Sequence, residues 1–270
     1  VRAIHLEVVE NLSAEAFMNS FKRFIATRGV PQRIVSDNGT NFARSEKALR
    51  ALWSNLNREE VQNFFGLKEI IWTFNTPRAA WWGGQFERLI RVVKECLRKT
   101  MMLHVVPLFD FMTIVKEIEA VINSRPLTAI PSGCDQEIAL TPAHFVAPGF
   151  PISLPASTVD VRGMKSDELV RAWRAREKIL NEFWARWRSQ YILYLKSAHH
   201  RKSSKAVKLK VGDIVLIHDD NLPRLRWRLG RILRIVQSKD GQERTCIVRT
   251  DRENLKRTVQ HLYKLLDSSS

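Results

Sequence analysis

The sequence lacks any apolar run long enough to cross a membrane as a helix. Its best stretch, Met101 to Val115, is broken by His104, Pro107 and Asp110. Cysteine is scarce: Cys96, Cys134 and Cys246 are far apart, odd in number and without a C-x-x-C pair. That excludes a disulfide framework and a cysteine-based zinc half-site, and it suits a reducing compartment. Internal repeats and low-complexity segments are also missing, so a solenoid or a compositional linker is excluded. Acidic residues are in short supply, 28 against 44 Lys and Arg. No initiator Met, signal peptide or transit segment opens the chain, and Arg2 to Val9 already alternates like a strand. The start is therefore expected to cut through a domain.

What is there is an ordinary globular composition, with 44% apolar residues spread over 270 positions. Such a spread rules out a disordered basic tail. A formal net charge of +16 favours a polyanionic partner, with nucleic acid ahead of an anionic membrane surface.

Ile4, Leu6 and Val8 alternate with Ala3, His5 and Glu7, the period of two of a strand. Ser13 is placed to cap a helix carrying Phe17, Phe21 and Phe24, which Gly29 and Pro31 end. Arg33 to Ser36 is a short strand stopping at Asp37-Asn38-Gly39. A helix over Ser45 to Leu56, a strand over Glu69 to Phe74, and helices over Gln85–Met101 and Leu108–Asn123 follow. This alternation indicates an α/β layer architecture. Prolines and glycines between Pro126 and Pro155 predict an irregular linker packed on the domain. Ser166 to Leu195 carries Leu169, Trp173, Leu180, Trp184, Trp187 and Tyr191 at helical spacing, most simply a packing face. Short strands are then predicted at Ile214–Ile217, Trp227–Val236, Thr245–Arg249 and Leu255–Val259, with Asp240-Gly241 as a hairpin turn. That is a small β-barrel of SH3-like size.

Two carboxylates stand out by position. Asp37 ends an apolar strand before Asn38-Gly39, a pair that turns the backbone away, and Glu87 begins a helix just after Gly83-Gly84. Phosphodiester chemistry commonly uses two Mg²⁺ ions about 3.5–4 Å apart, held by carboxylate oxygens. A common turn and a dipole-complementing helix start look the same by spacing alone. Glu87, Arg91, Lys94 and Arg98 share one helical face, with Phe86, Ile90, Val93 and Leu97 as the apolar face. The carboxylate thus heads a basic stripe, which suits work beside a DNA backbone; a solvated face with an internal Glu–Arg pair is the plainer account.

These residues carry a resemblance. Val35-Ser36-Asp37-Asn38-Gly39-Thr40-Asn41-Phe42 followed by Trp82-Gly83-Gly84-Gln85-Phe86-Glu87-Arg88 resembles the second and third carboxylates of a retroviral-type integrase core. Arg2-Ala3-Ile4-His5-Leu6-Glu7-Val8-Val9, Asn123-Ser124-Arg125-Pro126-Leu127-Thr128 and Leu140-Thr141-Pro142-Ala143-His144-Phe145 narrow it to the integrase region of BEL/Pao-type LTR-retrotransposon Pol polyproteins. The tail, Val211 to Ile217 through Trp227 to Arg231, is similar to the β-rich domain that follows that core.

The resemblance implies an RNase H-like core over 1–155, a helical connector over 156–200 and a basic SH3-like domain over 201–266. It further implies Mg²⁺- or Mn²⁺-dependent 3′-end processing and strand transfer of element DNA into target DNA, acting in the nucleus as a homo-oligomer. Asp37 and Glu87 would be catalytic and metal-binding; Arg91 and Lys94 would hold the DNA end, with Arg98 continuing their stripe and Asn41 a lesser contact. The family's first carboxylate lies on an opening strand that is absent here, and neither Glu7 nor Glu10 is promoted to replace it. The upstream His/Cys zinc module is absent too. The chain as it stands is expected to be incomplete at its sheet edge and inactive by itself.

Residues 196–270 hold 18 basic and 8 acidic residues, a net +10, against +6 for residues 1–195. Arg226 and Arg228 alternate with Trp227 and Leu229, placing charge on one face, and Arg231 extends it. Phosphate-backbone binding is the preferred account of this excess, over a merely solubilising surface. Two readings stand beside integration. One is a catalytically dead or domesticated nucleic-acid-binding fragment. The other is a chromatin or protein reader, which calls for an exposed aromatic cage around Trp227 with Tyr263 as neighbour.

Overall fold

A computed structural model of the chain describes residues 1–36, 47, 70–74, 80–130, 138–149, 167–202, 209–219, 222–237 and 243–265. It is a mixed α/β protein that divides into two compact units, His5–Arg91 and Val1–Ile4 with Val92–Ser270.

In the unit His5–Arg91, α1 covers Ala14–Arg28. Ser13 caps it, its hydroxyl accepting from the Ala16 N–H at 3.1 Å, and Gly29 ends it at φ +82°, a left-handed conformation open to glycine. Phe21 is buried among Phe17, Met18, Phe24, Ile25, Ile34 and Ile70, so the phenylalanine spacing does form a core stripe. Strands β1, Arg33–Ser36, and β2, Ile71–Phe74, pair in parallel with Arg33 opposite Ile71 and Ser36 opposite Phe74. The expected helix over Ser45–Leu56 lies outside the described residues except for Lys47, which is helical.

The expected strand over Arg2–Val9 does not form: these residues join no ladder. A strand needs a partner backbone, and here a side chain supplies the rung. Asn123 accepts from the Ile4 N–H at 2.9 Å and donates to the Ile4 carbonyl at 2.7 Å, satisfying both backbone groups at a buried site.

Helix α2, Ala80–Met101, contains the boundary between the units. Its buried row is Leu89, Val93, Cys96 and Thr100, with Ile90 and Leu97 half-buried beside it, so the apolar face is turned slightly from the expected one. Helix α3 covers Leu108–Asn123, as its pattern predicts, and is almost wholly buried from Ile114 onward. The expected irregular linker contains order instead. Strands β3, Thr128–Ile130, and β4, Ile138–Leu140, pair antiparallel, and a single-turn helix α4 follows at Ala143–Val146. His144 Nδ1 accepts from the Thr141 N–H at 3.1 Å and lies 2.9 Å from its hydroxyl, pinning the start of that turn.

Helix α5 runs for 36 residues, Asp167–Lys202, past the expected end at Leu195. It packs on α3 through a face that includes Leu180, Phe183, Trp184, Trp187 and Tyr191, all buried. The tail is a five-stranded antiparallel sheet in the order β8-β7-β6-β5-β9. Its strands are β5 at Ile214–Ile217, β6 at Arg228–Gln237, β7 at Glu243–Arg249, β8 at Asn254–Thr258 and β9 at Leu262–Lys264. The sequence pattern omits β9, which is only three residues long and follows a turn of 3-10 helix at Val259–His261. A bulge between Ile232 and Arg234 breaks the alternation of β6 and leaves Leu233 exposed. Val215, Ile217, Ile232, Cys246, Val248 and Leu262 form this sheet's core. The Asp240-Gly241 turn lies outside the described residues.

Candidate functional site

The parallel pair β1–β2 is described as far as Ser36, which Asp37 follows in the sequence. Asp37 and Asn41 themselves lie outside the described residues. Glu87 lies within α2, but its side chain is outside the described set. Further along the same helix Arg91, Lys94 and Arg98 are exposed, on the side away from the buried Leu89–Thr100 row. The stripe therefore exists as a solvated cationic edge of one helix. Cys96, on the buried side, is unsuited to nucleophilic work: burial pushes its thiol up to about 11. Among the described residues no group of three or more His, Cys, Asp or Glu is placed to hold a metal ion. Glu7 is held by His5 at 3.1 Å and Arg23 at 2.9 Å, and Glu10 is exposed.

The three arginines predicted in the tail come together. Arg226, Arg228 and Arg231 line one cavity of about 560 Å³, between β4 and the adjoining ends of β6 and β7. Arg226 is exposed. Arg228 donates to Asp219 at 3.1 Å and Glu253 at 3.2 Å, and Arg231 donates to the Gly212 carbonyl at 3.3 Å. Sequence reasoning missed two further arginines of this wall, Arg249 and Arg252. Arg249 ends β7, and Arg252 sits in a turn closed by Thr250, whose hydroxyl accepts from the N–H groups of Arg252 and Glu253. The Thr-Asp-Arg-Glu run between two predicted strands was the available signal for that turn.

Trp227 is not the centre of an exposed cage. Its ring lies edge-on to Trp184 at 4.9 Å and to Tyr191 at 5.5 Å, and its indole N–H donates to the Ser124 hydroxyl at 3.3 Å. Tyr263 is buried elsewhere, against His218. Trp184 and Trp187 are packing residues, as their spacing suggested.

The Asn123–Pro126 motif is accounted for residue by residue. Asn123 ties down Ile4, and Ser124 receives Trp227. Buried Arg125 donates to the carbonyls of Ile122 and Arg2, and Pro126 accepts from the Tyr191 hydroxyl at 2.7 Å. Burial lowers the Arg125 guanidinium from its ordinary pKa and raises that of the Tyr191 phenol.

Residues 171–265 match the model of a protein family described as a family of unknown function (DUF5641). No curated protein matches this sequence. Among solved structures the chain is similar to one from the simian T-cell lymphotropic virus intasome in complex with PP2A regulatory subunit B56 gamma, at 14% identity and a TM-score of 0.31. That likeness covers 95% of this chain and 66% of the viral structure's chain, just under two thirds of its length. Among the described residues no helix is long and apolar enough to cross a membrane.

Proposed function

We propose that this chain is the integrase region of a BEL/Pao-type LTR-retrotransposon Pol polyprotein, which joins the ends of element DNA to target DNA. The observation that carries this reading is local. Ser36, which Asp37 follows in the sequence, belongs to a strand of a parallel pair, and the helix bearing Glu87 continues into the exposed cations Arg91, Lys94 and Arg98. Carboxyl ends of parallel strands are where α/β sheets gather their ligands.

In this proposal residues 1–155 form an RNase H-like core, 156–200 a connector and 201–266 an SH3-like domain. The protein acts in the nucleus as a homo-oligomer. Asp37 and Glu87 are hard oxygen donors and fit Mg²⁺ or Mn²⁺, which when bound supplies Lewis-acid stabilisation of charge on the transferred phosphate. Arg91, Lys94 and Arg98 grip phosphates of the DNA end and hold it in register beside Glu87. Arg226, Arg228 and Arg231 add contacts from the tail.

In the intact parent protein, Asp37→Asn or Glu87→Gln should abolish strand transfer while DNA binding persists. Activity retained in either variant removes that residue from the mechanism. Duplex affinity of this chain should fall steeply with salt and vary little with sequence. An affinity that barely changes between low and moderate salt counts against the tail's role.

A further inference from the structure

Among the described residues, five arginines line the 560 Å³ cavity of the unit Val92–Ser270, Arg226, Arg228, Arg231, Arg249 and Arg252, with Asp251 the only carboxylate of that described lining. Arg228 is matched by Asp219 and Glu253, but Arg252 is 3.9 Å from Asp251 on a well-exposed turn, where a pair gains little. The cavity is therefore strongly cationic. Its walls are not only cationic, because Leu225, Trp227 and Leu229 contribute apolar surface, with Trp227 held edge-on to Trp184 and Tyr191.

The rim is fixed in an unusual way. The Arg226 N–H donates to the Pro223 carbonyl at 3.2 Å, closing a turn in which Leu225 sits at φ +67°. This is the place of a type II turn that glycine normally takes. A leucine there is strained, and it is held by its neighbour: Arg224 donates to both carboxylate oxygens of Glu177 on α5, at 2.8 and 3.0 Å. Strain of this kind gathers at ligand-clamping sites, where surrounding structure over-determines it.

We propose that this cavity takes one unpaired nucleotide of a nucleic-acid strand, with its phosphate on Arg226 and Arg252 and its base against the Leu225–Trp227 wall. The inference rests on the DNA-binding part of the function proposed above. The volume lies in the range of about 300–1,000 Å³ typical of small-molecule sites, which admits a nucleotide but not the breadth of a base-paired segment. Guanidinium groups pair with phosphate and also stack on bases, and an aromatic wall accepts any base face. Asp251 offers an acceptor for a base amino group. An acidic peptide would use the cations and leave the apolar wall without a partner.

The test compares fluorescein-labelled DNAs by anisotropy, using the full chain at one salt concentration. The probes are a blunt duplex, the same duplex with a three-nucleotide overhang, and that overhang with abasic sites. The overhang should tighten binding about fivefold or more, the weight of one stacked base, and the abasic overhang should lose that gain. Arg226→Ala and Arg252→Ala, both on exposed positions that leave the fold intact, should each bring the overhang-to-blunt ratio close to one.

A ratio near one in the unaltered chain overturns the nucleotide site while leaving duplex binding, and the proposed function, standing. A ratio unchanged in both variants, or an abasic overhang that binds as tightly, overturns it as well. Displacement of the overhang by a glutamate-rich peptide at concentrations equal to those of competing oligonucleotide assigns the cavity to acidic peptides instead. Absence of binding to every one of these DNAs by the unaltered chain overturns both proposals.

Discussion

Arg224 Nη2 donates to both carboxylate oxygens of Glu177, at 2.8 and 3.0 Å, and joins the turn before β6 to the long helix α5. The guanidinium is only 6% exposed, so this pair is largely removed from water. Removing one partner strands the other: Glu177→Ala should cost about 3–5 kcal/mol, the range for breaking a buried pair. Urea denaturation of the two proteins gives the difference directly. Arg224→Met, which removes the buried charge and keeps the bulk, should cost less than Glu177→Ala.

Glu117 stands near the same pair, and burial raises its carboxyl above the ordinary value of 4.5, Arg224 opposing the shift and Glu177 adding to it. A carboxylate whose folded pKa is raised destabilises the fold when ionised. That penalty is absent below the unfolded value and complete above the folded one. Glu117→Gln should therefore stabilise the protein at pH 7, and the gain should vanish as the pH drops below about 4.5. Thermal melts across that window measure it. A gain that grows on acidification would show the opposite sign.

Asn123 closes two hydrogen bonds with the backbone of Ile4, at 2.9 and 2.7 Å, with both residues buried. Asn123→Leu leaves an N–H and a carbonyl without partners and should cost about 2–4 kcal/mol in all. Hydrogen exchange at the Ile4 amide should accelerate accordingly. Equal protection in the two proteins would mean that Asn123 does not supply the rung.

Gly230 sits in β6 where another strand comes close. A Cβ there would lie 2.5 Å from Val248 Cγ1 and 2.7 Å from the Arg249 carbonyl oxygen. The backbone oxygen cannot swing aside as a side chain can, so Gly230→Ala should destabilise the sheet by about 1–3 kcal/mol. Chemical denaturation followed by tryptophan fluorescence reports it. A neutral substitution would mean that β6 and β7 separate at little cost.

Much of the local structure was legible because local rules govern it. Ser13, the phenylalanine spacing and Gly29 delimited α1, and the buried stripe of α5 followed from its tryptophans. The strand expected over Arg2–Val9 failed for the opposite reason. Alternation shows which face can be buried, but pairing depends on a backbone alongside, and here the Asn123 side chain occupies that place. The Pro126–Pro155 segment misled in the other direction, since two three-residue strands are too short to register as a period. Of the candidate site, the stripe Arg91, Lys94 and Arg98 was readable as one face of one helix, whereas the company kept by Trp227 was not.

The sequence by itself determined the charge excess, its concentration in the last 75 residues, the helix and strand that precede Asp37, and the helix that carries Glu87. All of these depend on composition or on neighbours a few positions apart. Only the tertiary structure decided that Arg226, Arg228 and Arg231 share a cavity with Arg249 and Arg252, and that Trp227 faces Trp184 and Tyr191. Those groups come from two turns, from two strand ends and from a helix up to 43 positions away from Trp227, the span back to Trp184. Their convergence is set by burial of α5 and by strand pairing, which no local period encodes.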